Sequence, residues 1–466
     1  MEQMAVIGPE GNGPRKSLLE RILSVVCEVK PGEGIGALLL CLNLFVLLGA
    51  YYLLKPVRES LVLAEGGAEW TAYSSAAQAV LLLGVVPLYG WIAQHLNRIR
   101  LLRWTTLFFA SNLLIFYVLG LRGVHEGVAF YIWIGIFNVF SVAQLWAFAS
   151  DLFNEEQGKR LFPLLGVGAS VGSVAGAWLA SDAFKKVGPY SIMLIGAVAL
   201  CVCTALTRLA GYAVVRREGE EEQRKDKETL STTGGFELLL KDRYLMLLGI
   251  LTVLLNFVSL SGDFILKTMV VNHTNEVVGT AATLMKARKA YIGEFFAHYY
   301  AWTNLVSFLV QTLFVSRLFR WIGIGGSLFV MPLLSAATFI SILVAPVLGV
   351  VRILKIGENA TNYSLQNTVR HALLLPTSRE AKYKAKAAID TFCWRLGDVL
   401  QAGVIALGTH VLHFSVRQFS ALTLLVAVVW VVVAMLLFRK YRQLTQQPSD
   451  PQPGIVAQPL ATAEAH

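Results

Sequence analysis

The chain has 466 residues, of which 55% are hydrophobic and 15% are charged, and its mean hydropathy is +0.59. Soluble domains carry about 25% charged residues, so this composition excludes an ordinary soluble protein and indicates a polytopic membrane protein. The net charge of +10 does not indicate a nucleic-acid partner, because most basic residues flank apolar segments instead of forming one face or arm.

The stretch before the first apolar segment is PRKSLLERILSVVCEV, in which leucine and isoleucine recur at helical spacing between charges. It predicts an amphipathic helix in a cytoplasmic N-terminal region (1–34), lying on the membrane surface or packed against the bundle. No apolar stretch followed by a small-residue cleavage site occurs there, so we do not expect a cleaved signal peptide.

Twelve apolar segments follow, and crossing a bilayer takes roughly 20 mostly apolar residues for each helix. We therefore predict an all-α membrane protein with an N-terminal six-helix half (35–213) and a C-terminal six-helix half (242–440). A charged cytoplasmic linker (214–241) separates the halves, and a disordered tail (441–466) ends the chain. The predicted segments begin near Gly36, Trp70, Leu101, Val128, Phe162 and Tyr190, and then near Tyr244, Trp302, Ile324, Val347, Lys386 and Phe414.

The basic residues predict the orientation of these segments. Short cytoplasmic loops are enriched in lysine and arginine, and every even-to-odd connection here is basic, so we expect both termini in the cytoplasm. The longer outer loop predicted between segments seven and eight is an exception, because it holds Lys286, Arg288 and Lys289. The basic residues on the predicted inner side include Arg98, Arg100, Arg103, Lys159, Arg160, Arg317, Arg320, Arg379, Lys382, Arg439 and Lys440.

Two six-helix, pseudo-symmetric halves with cytoplasmic termini are the layout of the major facilitator superfamily. In that layout segments one, four, seven and ten line a central cavity, and substrates bind near the bilayer midplane. A charge at the bilayer centre costs at least about 2.5–3.5 kcal/mol, so charges in these segments should pair or face water. The candidates are Lys55, Arg58 and Glu59 in segment one, Asn138 in segment four, Asp263 and Lys267 in segment seven, and Lys355, Glu358 and Asn362 in segment ten.

The charges of the first segment allow a second interpretation. Gly36 to Leu54 is already 19 residues, so the following charges could mark the outer interface instead of a cavity. The apolar sequence SLVLA that continues after them favours the cavity. A mixed set of bases and acids predicts an anionic or zwitterionic substrate, because arginine and lysine bind phosphate. Neighbouring carboxylates would pair with these bases when no substrate is bound.

Two other patterns concern packing and cofactors. Gly168, Gly172 and Gly176 are four residues apart, which predicts close approach of another helix. The five cysteines show neither disulfide nor metal-ligand spacing, and no Walker A, HExxH or GxSxG sequence occurs. We therefore expect no cofactor, no metal and no enzymatic activity, and a nucleotide would be cargo and not fuel.

Four stretches resemble the nucleotide transporter family, which comprises the ATP/ADP translocases of plastids and obligate intracellular bacteria. These stretches are YYLLKPVRESLVL, LWAFASDLFNEEQGKRLFPLLGVGASVGS, YIGEFFAHYYAWTNLVSF and ENATNYSLQNTVRHALLLPTSREAKYKAKAAIDTFCWRLGD. The resemblance spans both predicted halves, and its most specific part runs from Tyr363 to Asp390. It implies exchange of ATP for ADP, or uptake of related nucleotides, by alternating access.

The resemblance also carries over individual charges. A lysine of the family's first helix corresponds to Arg58, and an acidic residue of its seventh helix corresponds to Asp263. A further family lysine corresponds to Lys384 or Lys386, beside the sequence KAAID. The glutamate of the family's fourth helix has no counterpart, since the alignment places it near Ile134.

We therefore expect a monomeric secondary transporter of the bacterial inner membrane, with a nucleotide or similar phosphorylated anion as its small-molecule partner. Two alternatives remain. A proton-coupled transporter of another organic anion would use Asp263 or Glu358 as its proton carrier. A non-transporting membrane scaffold or sensor would keep the fold without needing the charged residues.

Overall fold

The computed structural model describes residues 17–24, 27–95, 98–215, 235–377 and 385–446. Their regular structure is helical. In the first part of the chain a short helix precedes six long ones. The bounds are α1 Leu18–Leu23, α2 Gly34–Gly66, α3 Ala68–His95, α4 Arg98–Leu121, α5 Gly127–Leu152, α6 Glu155–Lys186 and α7 Gly188–Val215.

The second part of the chain is more interrupted. Gly323 has a φ of 69°, which breaks the helix that contains it, and π-helical turns occur at Val310–Phe314, Asn362–Gln366, Ile389–Cys393 and Leu407–Val411. Such turns are rare, and they occur frequently at functional sites. The helices are α8 Gly235–Lys241, α9 Arg243–Val277, α10 Met285–Leu309, α11 Val315–Ser327, α12 Val330–Val344, α13 Leu348–Thr361, α14 Asn367–Ala372, α15 Lys386–Ala388, α16 Trp394–Ala406 and α17 Val416–Gln446.

Nine helical segments of the described residues are long and apolar enough to cross a membrane, and Val330–Val344 is a shorter apolar helix. The prediction of a helical, multi-pass membrane protein is therefore confirmed at this level. Helices α13 and α16 fall outside the nine, since α13 carries Arg352, Lys355 and Glu358 and the described part of α16 is short. We call the end of the bundle at which α2 begins the inner end, and the opposite end the outer end.

Helix α6 packs closely and in parallel against α2, as the glycine spacing predicts. A Cβ atom on Gly172 would lie 2.2 Å from the Phe45 carbonyl oxygen, and one on Gly176 would lie 2.1 Å from the Gly49 carbonyl oxygen. At the inner end, Arg160 of α6 donates to both carboxylate oxygens of Glu33, at 2.8 and 3.0 Å. Burial opposes ionisation of Glu33, but its hydrogen bonds to Arg160 and Lys30 outweigh burial and lower its pKa.

Helix α10 corrects one prediction. It begins at Met285 and not near Trp302, so Lys286, Arg288 and Lys289 belong to a helix and not to an outer loop. The prediction was wrong because charges were read as the end of an apolar segment, whereas Lys289 is buried in ionic contact with Glu65.

Three other predictions overlap residues that the structure describes only in part. The described residues of the predicted N-terminal helix form α1, which Ser17 and Glu20 cap reciprocally. The described end of the predicted linker forms α8, and α17 continues to Gln446 within the predicted tail. Residues 216–234 of the linker and 447–466 of the tail lie outside the described residues.

Candidate functional site

Glu59 is the centre of one group of contacts between α2, α9 and α10. It is fully buried, and its carboxylate lies beside the guanidinium of Arg58, whose Nε donates to Oε1 at 3.0 Å. The ammonium of Lys267 lies 3.1 Å from Oε2, and the Tyr300 hydroxyl donates to Oε1 at 3.0 Å. One carboxylate therefore positions two cations from two helices.

Lys355 is the centre of a second group, between α9 and α13. Its buried ammonium lies 3.1 Å from Asp263 and 3.1 Å from Glu358. The Asn359 amide donates to Asp263 at 3.3 Å and to the Tyr299 hydroxyl at 2.6 Å. Two carboxylates here share one cation, the reverse of the arrangement at Glu59.

Lys55 lies on α2 one turn before Glu59 and is surrounded by aromatic rings. Its Nζ is 4.1 Å from the ring centroid of Tyr300, and 5.2, 5.8 and 5.9 Å from those of Tyr52, Tyr363 and Tyr51. Within the described chain it has no ion-pair partner, whereas the other three cations each contact a carboxylate. Lys55 is thus a desolvated cation whose charge no carboxylate neutralises directly.

We call Lys55, Arg58, Glu59, Asp263, Lys267, Lys355 and Glu358 the charge cluster. Its four bases and three acids leave one positive charge when all are ionised. A buried net charge is costly unless something compensates it. The cluster is therefore suited to an anion that approaches Lys55.

A cavity of about 640 Å³ leads toward the cluster from the inner end. Tyr52 and Tyr363, whose rings lie 5.2 and 5.8 Å from the Lys55 ammonium, line this cavity and separate it from the charge cluster. The rest of the lining is rich in amide and hydroxyl groups from both parts of the chain. These polar lining residues are Ser170, Ser173, Asn304, Ser307, Gln311, Thr312, Asn367 and Thr368.

The outer end is closed by polar contacts that join α10 to α2 and to α6. Ser60 donates to the Lys289 carbonyl oxygen at 2.6 Å, and Lys289 Nζ lies 2.7 Å from Glu65. Ser181 and His298 are hydrogen-bonded at 2.8 Å. The site therefore opens toward the inner end and is shut on the opposite side.

Most of the predicted site residues lie in or near the charge cluster. All seven members of the charge cluster were predicted, and they lie together. Asn138 lies two turns from Tyr131 on the same face of α5, and the Tyr131 ring is 4.4 Å from Arg58. Asn362 begins the π-helical turn next to Tyr363.

One predicted lysine does not reach the cluster, and another is not described by the structure. Lys386 begins α15 and lies with Arg370, His371 and Asp390 around a separate, very small cavity. Lys384 lies outside the described residues.

Three tyrosines of the site were not predicted. Tyr299 and Tyr300 were missed because the eighth segment was placed too late, and Tyr131 gave no signal beyond an aromatic in an apolar helix. The sequence YIGEFFAHYY was the available clue, because it pairs two tyrosines with an acid and a histidine inside an apolar run.

The family described as TLC ATP/ADP transporter matches residues 128–447. ADP,ATP carrier protein 1 of Chlamydia pneumoniae is 22% identical over an alignment that covers 67% of this chain and 68% of that protein. ADP,ATP carrier protein 1 of Chlamydia muridarum is 25% identical over 58% of this chain and 56% of its own length. The plastidic ATP/ADP-transporter of Solanum tuberosum is 22% identical over 65% of this chain and 51% of its own length.

Solved structures with the same fold are transporters. The nucleoside transporter NupG has a TM-score of 0.61 at 14% identity, covering 89% of this chain and 100% of that one. A POT peptide transporter in complex with sulfate has a TM-score of 0.62 at 11% identity, covering 92% and 99%. At these identities the likeness establishes the fold alone.

Proposed function

Because the chain belongs to the TLC ATP/ADP transporter family, we propose that it is a secondary transporter that exchanges ATP and ADP, or takes up related nucleotides, by alternating access. The aligned relatives carry ADP,ATP carrier names, which supports this cargo. The aligned part of this chain spans between half and about two thirds of those relatives, so the cargo is carried over as a proposal.

The observation that carries the proposal is Lys55, a buried ammonium without a carboxylate partner in the described chain, next to Tyr52 and Tyr363 of the cavity lining. A di- or triphosphate supplies the negative charge that the cluster lacks, and its oxygens are suited to a lysine point charge and an arginine fork. Arg58, Lys267 and Lys355 would then contact phosphate. Glu59, Asp263 and Glu358 would hold these cations in place when no substrate is bound.

In this proposal, twelve helical segments cross a bacterial inner membrane as two six-helix halves of the major facilitator type, with both termini cytoplasmic. The nine candidate spans and the shorter apolar helix Val330–Val344 support ten crossings. The charge-bearing α13 and α16 supply the other two, since a polar stripe facing a cavity is tolerated inside a bundle. The inner end then faces the cytoplasm, and the protein acts as a monomer.

Exchange in proteoliposomes tests this function. Labelled ATP is added outside vesicles that contain either ADP or buffer, and we expect uptake only with internal ADP. Arg58→Ala should abolish uptake while folded protein remains in the membrane, because its guanidinium is held at the cluster by Glu59. Undiminished uptake by this variant would contradict the assigned site. Absence of uptake by folded parent protein would overturn the nucleotide cargo.

A second candidate is a proton-coupled transporter of another organic anion. Asp263 and Glu358 share a single ammonium, so one of the two carboxylates could bind a proton during a cycle. Collapsing the pH gradient across the vesicle membrane distinguishes the candidates. It would stop a proton-coupled transporter, whereas exchange of internal ADP for external ATP would continue.

A further inference from the structure

Glu126 is a buried carboxylic acid that the proposed transport cycle does not use. It ends the connection between α4 and α5 and immediately precedes α5. The residue is only 3% exposed, and within the described part of the chain neither of its carboxylate oxygens has a hydrogen-bond partner. Burying an ionised group without a partner is costly, so this position needs a compensating proton or cation.

The cation that acts on Glu126, Lys289, is already engaged by another carboxylate. Glu65 of α2 receives the Lys289 ammonium at 2.7 Å through Oε1 and the Gly127 amide at 2.8 Å through Oε2. Lys289 also donates to the Tyr190 hydroxyl at 3.0 Å. The charged groups that act on Glu126 are Glu65 from α2 and Lys289 from α10, and Tyr190 from α7 contacts Lys289, while Arg122 and His125 of its own connection are exposed.

These contacts lie where the outer end is shut. Ser60, Glu65, Gly127, Tyr190 and Lys289 form what we call the outer closure, in which α10 is joined to α2 and α7, and α2 is joined to α5. Burial, and then the negative charge of Glu65, raise the pKa of Glu126 to about 7, although Lys289 partly opposes them. The connection lies outside the membrane-spanning helices, next to the outer surface.

We propose that Glu126 is a proton-binding site of the outer closure, protonated while Glu65 holds Lys289 and ionised when α10 withdraws and water reaches the carboxylate. The inference rests on the proposed alternating access and not on the identity of the cargo. It makes the outer end sensitive to the pH of the compartment it faces, with acid favouring the shut state.

The sign follows from linkage. The shut state binds the proton more tightly than an open, hydrated state, in which the carboxyl would have its ordinary affinity. The shut state therefore loses stability relative to the open state as the pH rises from the ordinary carboxyl range to the raised value. For one proton, the ratio of shut to open molecules changes by at most about tenfold per pH unit.

Distances between spin labels on the two sides of the outer end test this directly. Cysteines replacing the exposed Val187 of the α6 end and Val277 of α9 carry the labels, in a full-length chain whose five native cysteines are replaced. The protein is placed in lipid nanodiscs without nucleotide. Measurements run from about pH 4.5 to about pH 8.5, a range that includes both the ordinary carboxyl pKa and the raised pKa of Glu126.

We expect the fraction of short distances to fall several-fold from the acidic to the alkaline end in the parent. Glu126→Gln should keep the short distance at every pH, since a neutral amide imitates the protonated acid. The matched control is Glu276→Gln, an exposed carboxyl at the outer end that should leave the pH response intact. A parent without pH response, or an unchanged response in Glu126→Gln, would overturn the proposal.

Glu65→Gln provides a second variant with a different expected result. Removing the Glu65 charge frees Lys289 to pair with Glu126, so the response should shift to more acidic pH. An unshifted response would contradict the shared use of Lys289. Because no nucleotide is present, these outcomes do not depend on whether ATP and ADP are the cargo.

Discussion

Lys55 differs from the other three cations of the charge cluster in what surrounds it. Arg58, Lys267 and Lys355 each contact a carboxylate, whereas the Lys55 ammonium lies among four tyrosine rings. Contact of a cation with an aromatic face contributes about 0.5–2 kcal/mol, which is less than the cost of removing the ammonium from water. A bound anion would offset the part of this desolvation cost that the tyrosine rings do not. Lys55 is therefore the residue whose contact with an anion should contribute most to the free energy of binding.

Replacing Lys55 by methionine should weaken nucleotide binding while keeping the packing of its aliphatic stem. A hydrogen bond to a charged group contributes about 1.5–3 kcal/mol, so KM for ATP in exchange should rise roughly 10- to 100-fold. Lys55→Arg should retain part of the activity. Lys286→Met, which removes an exposed lysine of α10, is the matched control and should leave KM unchanged. An equal KM for Lys55→Met and parent would exclude Lys55 from binding.

The charges of the site could be predicted from sequence, whereas Tyr131, Tyr299 and Tyr300 could not. Charges inside lipid are expensive, so Lys55, Asp263 and Lys355 stand out in any apolar segment. A tyrosine at helical spacing has the same pattern whether it packs or surrounds a cation, so Tyr131 and Tyr300 are visible only in three dimensions. The family resemblance added Lys386, which the structure places away from the cluster.

At the scale of helices, the contact between α2 and α6 depends on the absence of side chains. Positions 172 and 176 of α6 have backbone carbonyls of α2 where a Cβ atom would lie. Backbone cannot move aside as a flexible side chain can, so α6 would have to shift. Gly166 of the same helix has no atom within 4 Å of the position a Cβ would take.

Gly176→Ala and Gly166→Ala therefore form a matched pair with opposite expectations. Overpacking costs about 1–3 kcal/mol, so Gly176→Ala should lower the thermal stability of the purified protein. Gly166→Ala should be neutral or slightly stabilising, because alanine exceeds glycine in helix propensity by about 1 kcal/mol. Thermal unfolding followed by size-exclusion chromatography provides the measurement. Equal stability of the two variants would show that α6 shifts without cost.

Helix α10 shows why some elements could not be placed from sequence. An apolar window ends wherever charges accumulate, and Lys286, Arg288 and Lys289 precede the apolar part of α10. Their charges are tolerated because Glu65 and Tyr190, distant in sequence, receive Lys289. The glycine repeat of α6 was predicted correctly, since small residues four apart constrain a local helix face.

At the scale of the whole molecule, the inner and outer ends are held differently. The inner end contains the polar cavity, whereas the outer end is joined by buried contacts such as Lys289 with Glu65 and by partly exposed ones such as Lys185 with Glu294. Exposed ion pairs contribute about 0–1 kcal/mol each, so the outer end is held mainly by its buried contacts. A closure that depends on few contacts suits the alternating access proposed above.

This asymmetry predicts which positions a thiol reagent reaches. In a background without the native cysteines, Asn367→Cys in the cavity lining should react with a membrane-impermeant reagent added at the inner end. Ser60→Cys in the outer closure is fully buried and should react at least about tenfold more slowly, because reaction requires opening. ADP should slow labelling of Asn367→Cys, since a nucleotide in the cavity would cover this position. Fast labelling of Ser60→Cys from the outer side alone would mean that the resting protein opens outward, and the inner cavity would then not be its entry path.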